Sequence, residues 1–181
     1  MAVKVLDESL GKVVLIKLKG GKVIRGNLHG FDQHMNLLLE DSVEILEEGK
    51  SYSLGSVSFT TPVRHLHPVE TYGMLFRAGG YTFAYIADTL YFEGLARIYA
   101  SQLLIINVVF LEPRPPVEHL SVPDAKRIIT ELKPKVAILT HFGMTMWRAK
   151  PWEIAQGLSQ DTGIRVVAAR DGMRFDLSQL D

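Results

Sequence analysis

Residues 11–41, GKVVLIKLKGGKVIRGNLHGFDQHMNLLLED, set apolar and polar residues in a two-residue rhythm that breaks at glycines. A period of two is strand grammar, because successive side chains point to opposite faces. VVLIKLK (13–19) and KVIRGNLHGF (22–31) therefore read as paired strands, and Gly20-Gly21 supplies the positive φ angles a two-residue hairpin needs. Gly26 and Gly30 fall inside the second strand, where glycine marks a bend or bulge. MNLLLED (35–41) and SVEILEE (42–48) continue the meander to a tight turn at Glu48-Gly49-Lys50. Upstream, VKVLDESLG (3–11) reads as a short helix ending at Gly11. The sum is a small, strongly bent antiparallel barrel.

From Ser58 onward strands alternate with helices, so the chain as a whole is a mixed α+β and α/β protein of two units, 1–57 and 58–181. GMLFR (73–77) and YTFAYIA (81–87) flank Ala78-Gly79-Gly80 as a hairpin. TLYFEGLARIYAS (89–101) reads as helix, and LLIINVVF (103–110) as a buried strand before the loop forced by Pro113, Pro115 and Pro116. A helix over 122–133 opens with Pro123-Asp124 and stops before Pro134. The buried strand VAILT (136–140) and a helix near 151–161 follow. RVVAA (165–169) and MRFDL (173–177) complete the pattern as a hairpin turned at Asp171-Gly172.

Composition narrows the chemistry. A chain of 181 residues with 47% hydrophobic content can bury a core. Lys plus Arg and Asp plus Glu both number 20, so no global positive field draws the chain to nucleic acid; RNA binding would need a local, shaped site, and DNA is not an expected partner. With no cysteine, histidine and carboxylate are the only strong metal donors. The longest apolar run, LLIINVVFL at 103–111, contains Asn107 and is too short to span a bilayer, so a cytoplasmic protein with no membrane partner is the expectation.

GKVVLIKLKGGKVIRGNLHGFDQHMNLLLED resembles the first signature of the Sm and Sm-like (LSm) family. The resemblance implies an RNA-binding loop in which His34 stacks on a base, Asn36 reads the uracil edge and Asp32 orients Asn36. Taken alone, Asp-x-x-x-Asn is also ordinary turn chemistry. The second Sm signature does not follow: after YSLGSV comes SFTTPVRHLH, without the Arg-Gly that completes the uracil pocket, and Pro62 interrupts the ladder. Binding to single-stranded U-rich RNA is therefore expected to be weak.

PVRHLHPVETYGMLF, YTFAYIADTL, KPKVAILTHFGM and VVAARDGMRF resemble, in order and spacing, the C-terminal half of metallo-β-lactamase-fold hydrolases. By that resemblance His67, Asp88 and His141 are metal ligands at strand ends, for zinc or another divalent transition metal, with Asp88 as the bridging carboxylate. Asp88-Thr89 before a helix also satisfies a plain N-cap. His65 is expected beside the site or in solvent, His29 on the barrel surface, and His119 as a candidate acid or phosphate contact, the only catalytic candidate. The fold's HxHxDH motif has no counterpart, since His65-Leu66-His67 is followed by Pro68-Val69.

Three functions follow as expectations. One is an RNA-associated Sm-like module carrying a partial metal site, inactive by itself. A second is a metal-dependent phosphodiesterase or nuclease completed by oligomerisation or by a partner chain. A third is a chimera, from gene fusion or design, without an evolved function. In each the open strand edges predict a homo-oligomer, most simply a two-fold dimer.

Overall fold

The computed structural model describes residues 2–19 and 21–181, which divide into two compact units, 1–47 and 48–181. The division falls earlier in the chain than the change of sequence pattern at Val57-Ser58. In the first unit, helix α1 (Ala2–Ser9) precedes β1 (Val13–Lys17), β2 (Val23–Phe31) and β3 (Leu37–Ile45), which form an antiparallel sheet in the order β1-β2-β3. Gly20 of the expected Gly20-Gly21 turn lies outside the described residues. Gly21 has φ 86° and donates its N–H to the Leu18 carbonyl. The β2–β3 ladder slips between Arg25 and Asn27 and again between Leu28 and Gly30, so the strand bends at the glycine-marked positions. MNLLLED and SVEILEE do not form separate strands. They run together as β3, with Asp41 at φ 48° and the β2 bulges absorbing the irregularity.

The second unit is a seven-stranded sheet, again among the described residues. Its strands are β4 (Lys50–Leu54), β5 (Val57–Thr61), β6 (Met74–Ala78), β7 (Tyr81–Ile86), β8 (Leu103–Asn107), β9 (Val136–Thr140) and β10 (Arg165–Ala168), ordered β10-β9-β8-β7-β6-β5-β4. β4 to β7 pair antiparallel, whereas β7 to β10 pair parallel through helical crossovers. Residues 57–61 thus pair between β4 and β6, inside this sheet. Rings hold them there: Tyr52, Phe59, Phe76 and Phe83 stand in consecutive contact across four strands, with centroids 5.1, 5.4 and 4.7 Å apart.

One face of the sheet packs Ala84, Ile86, Leu104, Ile106, Ala137 and Leu139 against helices α2 (Leu95–Ile98), α3 (Val122–Leu132) and α5 (Pro151–Thr162). Helix α4 (Met144–Arg148) adds Met146 to this core, an element the sequence reading does not contain. The other face buries Leu103, Val136 and Ile138 under the C-terminal Leu180. α3 starts as its sequence predicts, with the Asp124 carboxylate accepting the Ser121 N–H at 2.9 Å in a capping box.

Two expected elements differ. The helix over 89–101 shrinks to Leu95–Ile98, because Leu90 pairs its N–H with Leu66 and Gly94, at φ 86°, is the residue before the first turn. The closing hairpin does not form: β10 pairs only with β9, and Met173, Phe175 and Leu177 lie against the sheet face, ending in a 3-10 helix over Leu177–Leu180. Burying those apolar side chains replaces one more edge ladder.

Candidate metal centre

The loops that follow β5, β7, β8 and β9 bring three imidazoles to one carboxylate. Asp88 follows β7, and His141 directly follows β9. His119 lies on the segment between β8 and α3. His67 sits within the loop joining β5 to β6, not at a strand end as its sequence context suggested. One donor atom each of His67, Asp88 and His119 lie within 4.8 Å of one another. His119 Nδ1 stands 3.5 Å from Asp88 Oδ1, and His141 Nε2 stands 3.4 Å from Asp88 Oδ2. The expected trio of His67, Asp88 and His141 is thus gathered about Asp88 with His119 as a fourth member.

The surroundings fix these groups. Asn107, buried at the end of β8, donates from Nδ2 to Asp88 Oδ1 at 2.8 Å and accepts the Tyr85 hydroxyl proton at 3.2 Å. An amide that interrupts the apolar strand LLIIN is the sequence signal for this role. His67 Nδ1 accepts the Val69 N–H at 3.3 Å and lies 3.2 Å from the Thr71 hydroxyl, which leaves Nε2 as the outward nitrogen. His141 adopts φ 60°, a left-handed conformation uncommon for a non-glycine residue. The next turn is held by close backbone approach at Gly143, where a Cβ would meet the Val109 carbonyl oxygen at 2.6 Å.

His65 is buried, not solvent-facing. Its Nε2 is 2.8 Å from the Tyr99 hydroxyl, and its Nδ1 is 3.2 Å from the Asp88 carbonyl. Burial pulls its pKa below the ordinary histidine value, so it stays neutral and ties the Asp88 backbone to the core. Asp88-Thr89 does not cap a helix. The buried Thr89 hydroxyl instead accepts the Leu66 N–H at 3.1 Å and donates to the Leu90 carbonyl at 2.8 Å, which joins the two ligand-bearing loops.

The donor set fits a divalent transition metal. Two ligands about 2.1 Å from a tetrahedral ion stand about 3.4 Å apart, the spacing seen on both sides of Asp88. His119 Nδ1 is buried and has no hydrogen-bond partner among the described residues, and a metal ion is a partner that would satisfy it. Imidazole with carboxylate and no thiolate suits zinc and its neighbours.

In the first unit, Asp32 organises the loop between β2 and β3. Its Oδ1 accepts the N–H groups of His34 and Asn36 at 2.8 and 2.9 Å, and its Oδ2 accepts Asn36 Nδ2 at 2.7 Å. The Asn36 side-chain hydrogen bond leads the interactions that hold the Asp32 carboxyl below the usual carboxylate range. The His34 and Asn36 side chains are exposed, and His29 lies on the surface 3.5 Å from Glu40.

Comparison with solved structures assigns the sheet of the second unit to the metallo-β-lactamase fold. The metallo-β-lactamase fold protein YhfI from Bacillus subtilis is similar with a TM-score of 0.62 and 21% identity, over 71% of this chain and 52% of that one. Zn(2+)-bound PqqB from Methylobacterium extorquens is similar with a TM-score of 0.59 and 16% identity, over 73% of this chain and 55% of that one. The chain spans about half the length of these structures. The sequence model of the LSM domain matches residues 4–59. An Archaeoglobus fulgidus protein described as snRNP Sm-like is 47% identical over 53 residues, 29% of this chain and 69% of the relative. Through this N-terminal segment the chain belongs to the LSM domain family. Residues 50–59 thus match the LSM domain in sequence while β4 and β5 pair within the second unit's sheet.

Proposed function

We propose that the chain is an RNA-associated LSM protein whose second unit binds one divalent metal ion at Asp88, with the imidazoles of His67, His119 and His141 around it. It is inert toward phosphodiesters by itself and becomes a hydrolase when another chain adds the remaining ligands. The convergence of three imidazoles on Asp88 carries this reading. When bound, the ion supplies Lewis-acid polarisation of a phosphoryl oxygen. The residues of this chain hold and orient: Asn107 fixes the Asp88 carboxylate, Thr71 and Val69 fix the His67 ring, and His119 offers its buried Nδ1. The HxHxDH ligands do not occur in the 181 residues. In the first unit, the Asp32-ordered loop carrying His34 and Asn36 supports weak contact with single-stranded U-rich RNA.

Isothermal titration with Zn²⁺ and Mn²⁺ tests the metal reading. The full chain should bind close to one ion with micromolar or tighter affinity, and Asp88→Asn should weaken binding by more than about a hundredfold. Asn107→Ala, which leaves every donor in place, should weaken it less, in the range of about ten- to hundredfold expected for partners of the ligands themselves. Hydrolysis of bis(p-nitrophenyl)phosphate by the metal-loaded chain alone would overturn the claim that it is inert.

A further inference from the structure

Both tryptophans of the chain lie on one surface of the second unit. Trp147 on α4 and Trp152 at the start of α5 meet edge to face, with centroids 6.3 Å apart, and each is more than half exposed, at 57% and 56%. They line a groove of about 560 Å³ whose other wall carries Arg165, Arg170 and Arg174. Arg165 spans the Phe175 ring and donates to Gln179. No ion pair among the described residues engages any of the three arginines. The groove adjoins a second hollow that shares Trp147 and Arg170 and is lined by His141, with Asp171 the only carboxylate on its wall.

We infer that this groove seats single-stranded RNA, with bases stacked on Trp147 and Trp152 and phosphates on Arg170 and Arg174, in a path that runs to His141. Large exposed indoles are costly to leave in water, and an edge-to-face pair offers flat faces to an unpaired base. Unpaired guanidiniums beside aromatic faces match a strand that alternates phosphates with π surfaces. A protein ligand would use the indoles but has no general need for the line of positive charge. The charge is local, which resolves how a chain of zero net charge could engage RNA. The inference names the substrate class of the proposed hydrolase site and rests on that reading for the direction of the path. Occupancy of the groove needs no metal.

Because the chain has no other tryptophan, its tryptophan fluorescence, excited selectively over tyrosine, reports this groove and not the LSM segment. The full chain, in EDTA at low salt, is titrated with decaadenylate. Saturable quenching at micromolar concentration is expected. Its midpoint should rise at least tenfold in an Arg170→Ala, Arg174→Ala double variant and stay unchanged in Arg97→Ala, which removes an exposed arginine that does not line the groove. No quenching, equal quenching by inorganic polyphosphate, or a midpoint indifferent to the two arginines overturns the inference. A deoxyribose decamer that quenches as tightly overturns the choice of RNA. Tryptophans already shielded from acrylamide in the free protein would show a protein surface covering the groove, and would overturn it too. Since the titration excludes metal, its failure leaves the metal site standing, and loss of metal binding leaves this test intact.

Discussion

At Gly73 no side chain fits. A Cβ there would lie 2.5 Å from the Tyr99 hydroxyl and 2.7 Å from His65 Nε2, the pair that ties the loop bearing His67 to the core. Gly73→Ala should therefore destabilise the chain by about 1–3 kcal/mol, the range for overpacking a filled interior. Urea unfolding measures it, and an unchanged midpoint would mean that the His65–Tyr99 contact is not what holds this loop. Residue types with distinctive chemistry stand out in the sequence: of the trio His67, Asp88 and His141, the first two share a donor cluster with His119, and His141 Nε2 lies 3.4 Å from Asp88 Oδ2. His119 and Asn107 were harder to place. The place of His119 depends on how the segment after β8 folds back toward Asp88, and that of Asn107 on β8 pairing beside β7, long-range contacts that spacing does not encode. His65 was read as peripheral because histidine is seldom fully buried, and Tyr99, which satisfies it, lies 34 residues away.

Among elements, the β4–β5 hairpin is where two descriptions of the chain meet. By sequence it continues the LSM domain, yet its pairing partner is β6. The decisive contacts are Phe59 on Phe76 and Phe76 on Phe83, the last pair nearly parallel at 8°. Phe76→Ala removes the middle ring and should cost about 3 kcal/mol, with the first loss of amide protection at Phe59 and Thr60. Hydrogen exchange read by NMR checks this order, and protection of β5 unchanged by the substitution would show that the ladder alone holds the hairpin. Period-two and buried-strand patterns located most of the strands, because a pleat writes its burial locally. The helix over 89–101 and the closing hairpin misled for the opposite reason. Their apolar residues, such as Leu95 and Phe175, are spent on the sheet faces, and tertiary burial overrode the local pattern.

For the molecule as a whole, both sheets end in open strands: β1 and β3 in the first unit, β4 and β10 in the second. Leu15 on β1 and Leu38 on β3 are 68% and 59% exposed, an apolar invitation to pairing. A homodimer at micromolar concentration is the expected state. Light scattering coupled to size-exclusion chromatography decides it, with a monomer refuting the argument from open edges. The HxHxDH motif does not occur in the 181 residues. What one chain does hold is the donor cluster, and the most direct measurement is a crystal grown with zinc and diffraction recorded on both sides of the zinc absorption edge. One anomalous peak beside Asp88, within bonding distance of at least two of the His67, His119 and His141 rings, is the predicted result. A well-ordered map at saturating zinc with those side chains in place and no peak among them would contradict the metal centre.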